Sequence, residues 1–126
     1  MNTRFITPHI HAYIDYPVAI ALIGLPFALG LGATNPLALW LSVATGIAAF
    51  VLTLLTDHHL GVIRVLPYWF HLTVDRIVGL TFAIAPIVLG FKGLDAAFYW
   101  ANAAAVLSVT FLLNKTETPA AVAVRT

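Results

Sequence analysis

His11 and Asp15 stand four residues apart, and 60 positions later His71 and Asp75 do the same. On a helix, residues i and i+4 share one face, so each pair presents an imidazole beside a carboxylate. Three chemistries are open to such a set. The first is a polar staple, in which each His hydrogen-bonds the Asp one turn on. The second is a ligand site: two His nitrogens and two carboxylate oxygens form an N₂O₂ set that Zn²⁺ or another first-row ion accepts. Two facing His could also ligate a haem axially, which needs no cysteine. The third is a proton or ion path. His58 and His59 are possible accessory ligands, and Arg76 can reach toward Asp75 or across to Asp15.

The elements that position these residues are written twice. His11, Asp15, Val18, Pro26, Leu29, Gly30, Trp40, Ala44, Leu52 and Thr56 recur as His71, Asp75, Val78, Pro86, Leu89, Gly90, Trp100, Ala104, Leu112 and Thr116. An ordered recurrence of His, Asp, Pro, Gly and Trp at one offset marks an internal repeat. Repeat 1 covers 11–57, a link 58–70, repeat 2 covers 71–117, and 118–126 reads as a flexible tail of one membrane domain, 1–126.

Hydrophobic residues make up 61% of the 126 residues and charged residues 9%, against about 45–50% and about 25% in soluble domains. Such a chain cannot cover a soluble core and is expected in a membrane. A net charge of +1 with no basic run gives no footing for nucleic acid. With no cysteine there is no disulfide, thiolate zinc site or iron–sulfur cluster.

Four apolar stretches, about 10–31, 36–55, 72–91 and 96–113, each approach the ~20 residues that cross a bilayer as a helix. The links Gly32–Asn35 and Lys92–Asp95 have the composition of tight turns, which gives two antiparallel hairpins. Asp15 and Pro17 interrupt the first stretch, so it reads as a retained span and not a cleaved signal. Arg4, Arg64, Arg76, Lys115 and Arg125 fall on one side and Lys92 on the other. The positive-inside rule then places both termini in the cytoplasm. The expected fold is all-α: four transmembrane helices as two parallel hairpin repeats, related by a pseudo-twofold axis along the membrane normal.

With span 1 centred near Ala21, Asp15 lies roughly 9 Å from the midplane, where an unpaired carboxylate costs several kcal/mol. It needs a partner, unless helix 1 begins at Tyr16 with Asp15 as its N-cap. Pro26 and Pro86 lie inside spans 1 and 3 and are expected to bend them, while Trp40, Trp100 and Trp69 suit the interfaces as anchors. Tyr68 and Trp69 put the link along the cytoplasmic interface, and Pro67 is placed to start helix 3. The small pairs Ser42/Gly46, Ala44/Ala48, Ala101/Ala105 and Ala104/Ser108 allow close helix approach.

The unit resembles the SPW-repeat family of small prokaryotic membrane proteins, whose hairpin has an early Asp, a Ser-Pro-Trp signature followed by an apolar pair and Gly, and a Trp opening the second helix. The matching residues are Asp15, Pro26, Leu29, Gly30 and Trp40, then Asp75, Pro86, Leu89, Gly90 and Trp100; Leu25/Phe27 and Ala85/Ile87 replace the signature Ser and Trp. The resemblance implies fold, membrane location and bacterial or archaeal origin, but no activity; the inner membrane is the expected location. The sequence-based expectation is therefore a structural or accessory component of the cytoplasmic membrane, as a homo-oligomer or part of a larger membrane complex. The first alternative is a metal- or haem-binding protein using the paired His and Asp; the second is a dimeric transporter or ion pathway. No nucleophile–base pair or phosphate loop points to an enzyme, and no cofactor is the first expectation.

Overall fold

The computed structural model describes residues 6–56 and 61–113. His58, His59, Arg4, Lys115, Arg125 and the tail 118–126 lie outside the described residues. Four helices follow one another: α1 (Pro8–Ala28), α2 (Leu37–Leu55), α3 (Tyr68–Leu89) and α4 (Gly93–Leu107), the last continued by a π-helical segment, Ser108–Leu113. All four are long and apolar enough to cross a bilayer, with α4 counted through Leu112. Large apolar side chains such as Ile20, Ile47, Leu80, Ile84 and Ile87 cover the outside, as in a multi-pass membrane protein.

Both hairpins start their first helix earlier than the apolar runs do. Thr7 caps α1, its Oγ1 accepting from the Ile10 amide at 3.1 Å, with Pro8 at the first position. Asp15 therefore lies two turns inside α1 and is not its N-cap. Pro67 precedes α3 as its N-cap, and His71 falls in the first turn. Polar and aromatic residues at the ends of a span lower its hydropathy without ending the helix.

Pro26 and Pro86 sit in the last turn of their helices. The chain closes behind each in the same way: Leu31 N–H donates to Pro26 O at 2.9 Å and Phe91 N–H to Pro86 O at 3.0 Å. Gly30 and Gly90 adopt φ of 68° and 70°, a left-handed cap that a side chain would strain. Because Pro26 has no N–H for the Leu22 carbonyl, the buried Ser42 hydroxyl donates to it instead, at 2.8 Å.

Ser42 and Gly46 are the small pair that brings α2 against α1; a Cβ on Gly46 would stand 2.9 Å from the Ala19 carbonyl. In the second hairpin the glycine is on the other partner, Gly79 of α3, facing Leu107 and Val106. Ala44, Ala101 and Ala104 are exposed, and Ala48 and Ala105 border open space between the hairpins, so their pairings do not make the close helix contacts.

The helices pack closely within each hairpin and touch little between hairpins. At the turn end, Phe82 and Phe91 pack on Tyr99 with ring centroids 4.5 and 4.8 Å apart, and Tyr99 donates its hydroxyl to Ala38 O across the hairpins. Asn35 Nδ2 donates to Leu89 O, and Gly32 N to Asp95 Oδ1. Trp40, Trp69 and Trp100 are exposed, as interface anchors would be, and Trp100 Nε1 also donates to Ala83 O at 3.1 Å. The described part of the link folds back onto α2: Val62 N donates to Leu54 O, and Val65 and Leu66 N donate to Leu55 O. It thereby satisfies carbonyls that a helix end leaves open.

Candidate metal centre

At the end opposite the turns, α1 and α3 bring His11, Asp15, His71 and Asp75 into one cluster, with a ligand atom from each within 4.8 Å of the others. The pairs are not separate. His71 Nε2 lies 3.2 Å from both Asp15 Oδ2 and Asp75 Oδ2. His11 Nε2 lies 3.3 Å from Asp75 Oδ2, and its Nδ1 is 2.7 Å from Asp15 Oδ1. Each imidazole thus touches the carboxylate of its own helix and that of the other hairpin. Burial runs alike along both helices, class for class over 11–20 and 71–80. Both His side chains are at most 3% exposed, Asp15 is 9% and Asp75 19%.

Thr56 fixes the state of His71. Its Oγ1 is 2.6 Å from the Leu52 carbonyl and 2.6 Å from His71 Nδ1. A hydroxyl has one hydrogen and the carbonyl can only accept, so that hydrogen goes to Leu52. The hydroxyl oxygen must then accept from Nδ1–H. Nε2 is left facing two carboxylate oxygens, which is tolerable only if a positive charge sits there: a proton that makes the ring imidazolium, or a cation bound by the lone pair. A protein acceptor on the far ring nitrogen is the usual support of a metal-bound His.

His11 is held differently. Its Nδ1 is close to Asp15 Oδ1 but lacks hydrogen-bond geometry. Tyr68 packs around the cluster, 5.8 Å and edge-on to His11, 6.3 Å and stacked on His71.

Arg76 does not join the cluster. Its Nη2 donates to Thr110 O at 2.6 Å, and the guanidinium carbon lies 4.4 Å from the centre of the Phe111 ring. That carbonyl belongs to the π-helical segment that continues α4. The expected Arg76–carboxylate pairing is therefore replaced by an arginine clamp on the end of α4.

Between the cluster and the aromatic packing around Tyr99 the bundle is hollow. A cavity of about 260 Å³ runs between the hairpins, with His11, Asp15, His71 and Asp75 at one end and Leu22 near the other. Its walls are mainly Val, Ile, Leu and Ala from all four helices. Thr45, Thr53, Thr110 and Asn102 also line it; the threonine hydroxyls donate to the Leu41, Ala49 and Val106 carbonyls of their own helices, and Asn102 Nδ2 donates to Phe98 O.

Thr56, Tyr68 and Thr110 are site residues that the chemistry-bearing spacing alone does not reveal. Thr56 had a signal, because it recurs as Thr116 at the repeat offset. Compared with known protein families, curated proteins and solved structures, the chain matches none.

Proposed function

We propose that this chain is a multi-pass protein of the cytoplasmic membrane that binds one divalent first-row ion, Zn²⁺ foremost, through His11, Asp15, His71 and Asp75. The observation that carries the reading is the set of three Nε2–carboxylate contacts of 3.2, 3.2 and 3.3 Å, two of them between the hairpins. Ligand atoms on a tetrahedral ion with bonds of about 2.0–2.1 Å lie about 3.3 Å from one another. Two carboxylates also cancel the charge of a divalent ion, leaving a neutral site in a low-dielectric bundle. The Thr56 acceptor on His71 Nδ1 is the outer partner such a ligand needs. A haem has less support, since both carboxylates stand against the Nε2 atoms where a porphyrin ring would have to pass.

The reading includes two parallel hairpins about a pseudo-twofold axis, which the reciprocal His–Asp contacts favour, and cytoplasmic termini, which the Lys and Arg distribution favours. The SPW-like residues fit this frame, and the His pair is not carried over from that resemblance. The second reading is a staple: two imidazolium–carboxylate pairs are also neutral, and they would tie hairpins that otherwise touch little.

Metal content decides between them. Tag-free protein, extracted in detergent, equilibrated with zinc and desalted, should hold one zinc per chain, and the His11→Ala and His71→Ala variants almost none. A folded wild-type protein that retains no more zinc than His71→Ala overturns the metal reading in favour of the staple.

A further inference from the structure

Residues 61–66, which lead from α2 toward α3, are apolar on the outside. Val62, Ile63 and Val65 are 73%, 58% and 65% exposed, and Trp69 and Phe70 at the start of α3 are exposed as well. The turns at the other end of the bundle expose Ala33, Thr34, Lys92 and Gly93 instead. Large apolar side chains bared together are disfavoured in water and mark a contact surface. The backbone gives the depth of this surface. Val62 and Ile63 N–H donate to Leu54 O at 2.7 and 3.0 Å, and Val65 and Leu66 N–H to Leu55 O at 3.1 and 2.9 Å. The segment therefore runs beside the last turn of α2. That helix has 19 residues, so it is about 28 Å long and just matches a hydrocarbon core of about 30 Å. Its last turn stands at the edge of the core, and residues 62–66 lie level with it.

We infer that residues 61–66 form a hook seated in the lipid leaflet at the cluster end, with Val62, Ile63 and Val65 against its acyl chains. The inference rests on the membrane-spanning reading above and not on the metal. Non-helical backbone can meet lipid only if its amides are satisfied within the protein, and the amides of Val62, Ile63, Val65 and Leu66 are spent on α2 carbonyls. Arg64, between the apolar residues, turns its Nε back to Gly61 O at 3.3 Å. At the edge of the core a long side chain of this kind keeps its stem in apolar surroundings and its charge among the headgroups. The hook also bonds the end of α2 that carries Thr56, so the leaflet helps to hold Thr56 against His71.

The chain has no cysteine, so a spin label can be placed at one site at a time. Val62→Cys and Val65→Cys report on the hook, Ile84→Cys on the exposed outside of α3, and Lys92→Cys on the opposite turn. Full-length protein in phosphatidylcholine nanodiscs is probed with oxygen, which concentrates in hydrocarbon, and with chromium oxalate, which stays in water. Labels at 62 and 65 are expected to follow Ile84, colliding with oxygen and losing contact with chromium oxalate. Labels open to chromium oxalate as at Lys92, with Ile84 shielded, overturn the hook and leave the membrane reading standing. Labels shielded from both reagents overturn it too, because protein and not lipid then covers the surface. An Ile84 label open to chromium oxalate refutes the membrane reading first, and the hook with it.

Discussion

Replacing Thr56 by Val removes one oxygen and keeps the shape of the side chain, at a site where both Thr56 and His71 are almost fully buried. In the metal-bound protein Nε2 of His71 is a ligand, so the ring's only hydrogen is on Nδ1 and must find an acceptor. With Thr56 the acceptor is 2.6 Å away; with Val it is gone. A buried donor without a partner costs about 1–3 kcal/mol. The metal-free ring, an imidazolium in the wild-type protein, can shed its Nδ1 hydrogen and keep the one on Nε2 between the two carboxylates, an escape the zinc-bound ring lacks. The penalty therefore falls on the bound state and weakens zinc binding by about 10–100-fold, the range seen when outer partners of metal ligands are removed. Thr56→Ser keeps the hydroxyl and should bind close to wild type. Competition with a chromophoric zinc chelator in detergent measures all three proteins. A Thr56→Val protein with wild-type affinity, or a Ser variant as weak as the Val variant, would refute the assignment of the Nδ1 hydrogen and the role built on it.

Zinc affinity should fall as the pH is lowered from about 7 to about 5, because protons compete for the same nitrogens and oxygens; binding in weak buffer should release protons. An affinity independent of pH over that range contradicts ligation by His. Arg76→Met removes the clamp on the Thr110 carbonyl and should lower the unfolding midpoint while leaving zinc per chain unchanged; loss of zinc would place Arg76 in the site after all. Gly46→Ala should destabilise the fold by about 1–3 kcal/mol, because its Cβ meets the Ala19 backbone carbonyl at 2.9 Å. Gly79→Ala should cost less, since its nearest neighbour is the Leu107 side chain, which can rotate. Reversible unfolding in mixed micelles ranks the two, and a reversed order would show that the α1–α2 contact is not the tight one.

Much of the site could be read from the chain because its geometry is local. Spacing of four puts His11 with Asp15 and His71 with Asp75, and the repeat offset puts both pairs at matching places on α1 and α3. Thr56 depends on something less local: residues 61–66 fold back on the end of α2 and hold that end against α3. Arg76 donates instead to the Thr110 carbonyl, within π-helical turns that no residue there announces. Among the small-residue pairs, Ser42/Gly46 faces a neighbour and the alanine pairs do not, since spacing gives a shared face but not its direction. The cavity was hidden for the same reason, being a property of how two hairpins fail to fill the space between them.

X-ray absorption at the zinc edge, on tag-free protein loaded with one equivalent, bears most directly on the four-ligand cluster. The expected spectrum is a first shell of four nitrogen and oxygen atoms at about 2.0–2.1 Å, with the outer scattering of two imidazoles. Outer scattering from no imidazole, or the same spectrum from the His11→Ala/His71→Ala double variant, would contradict a metal centre at His11, Asp15, His71 and Asp75.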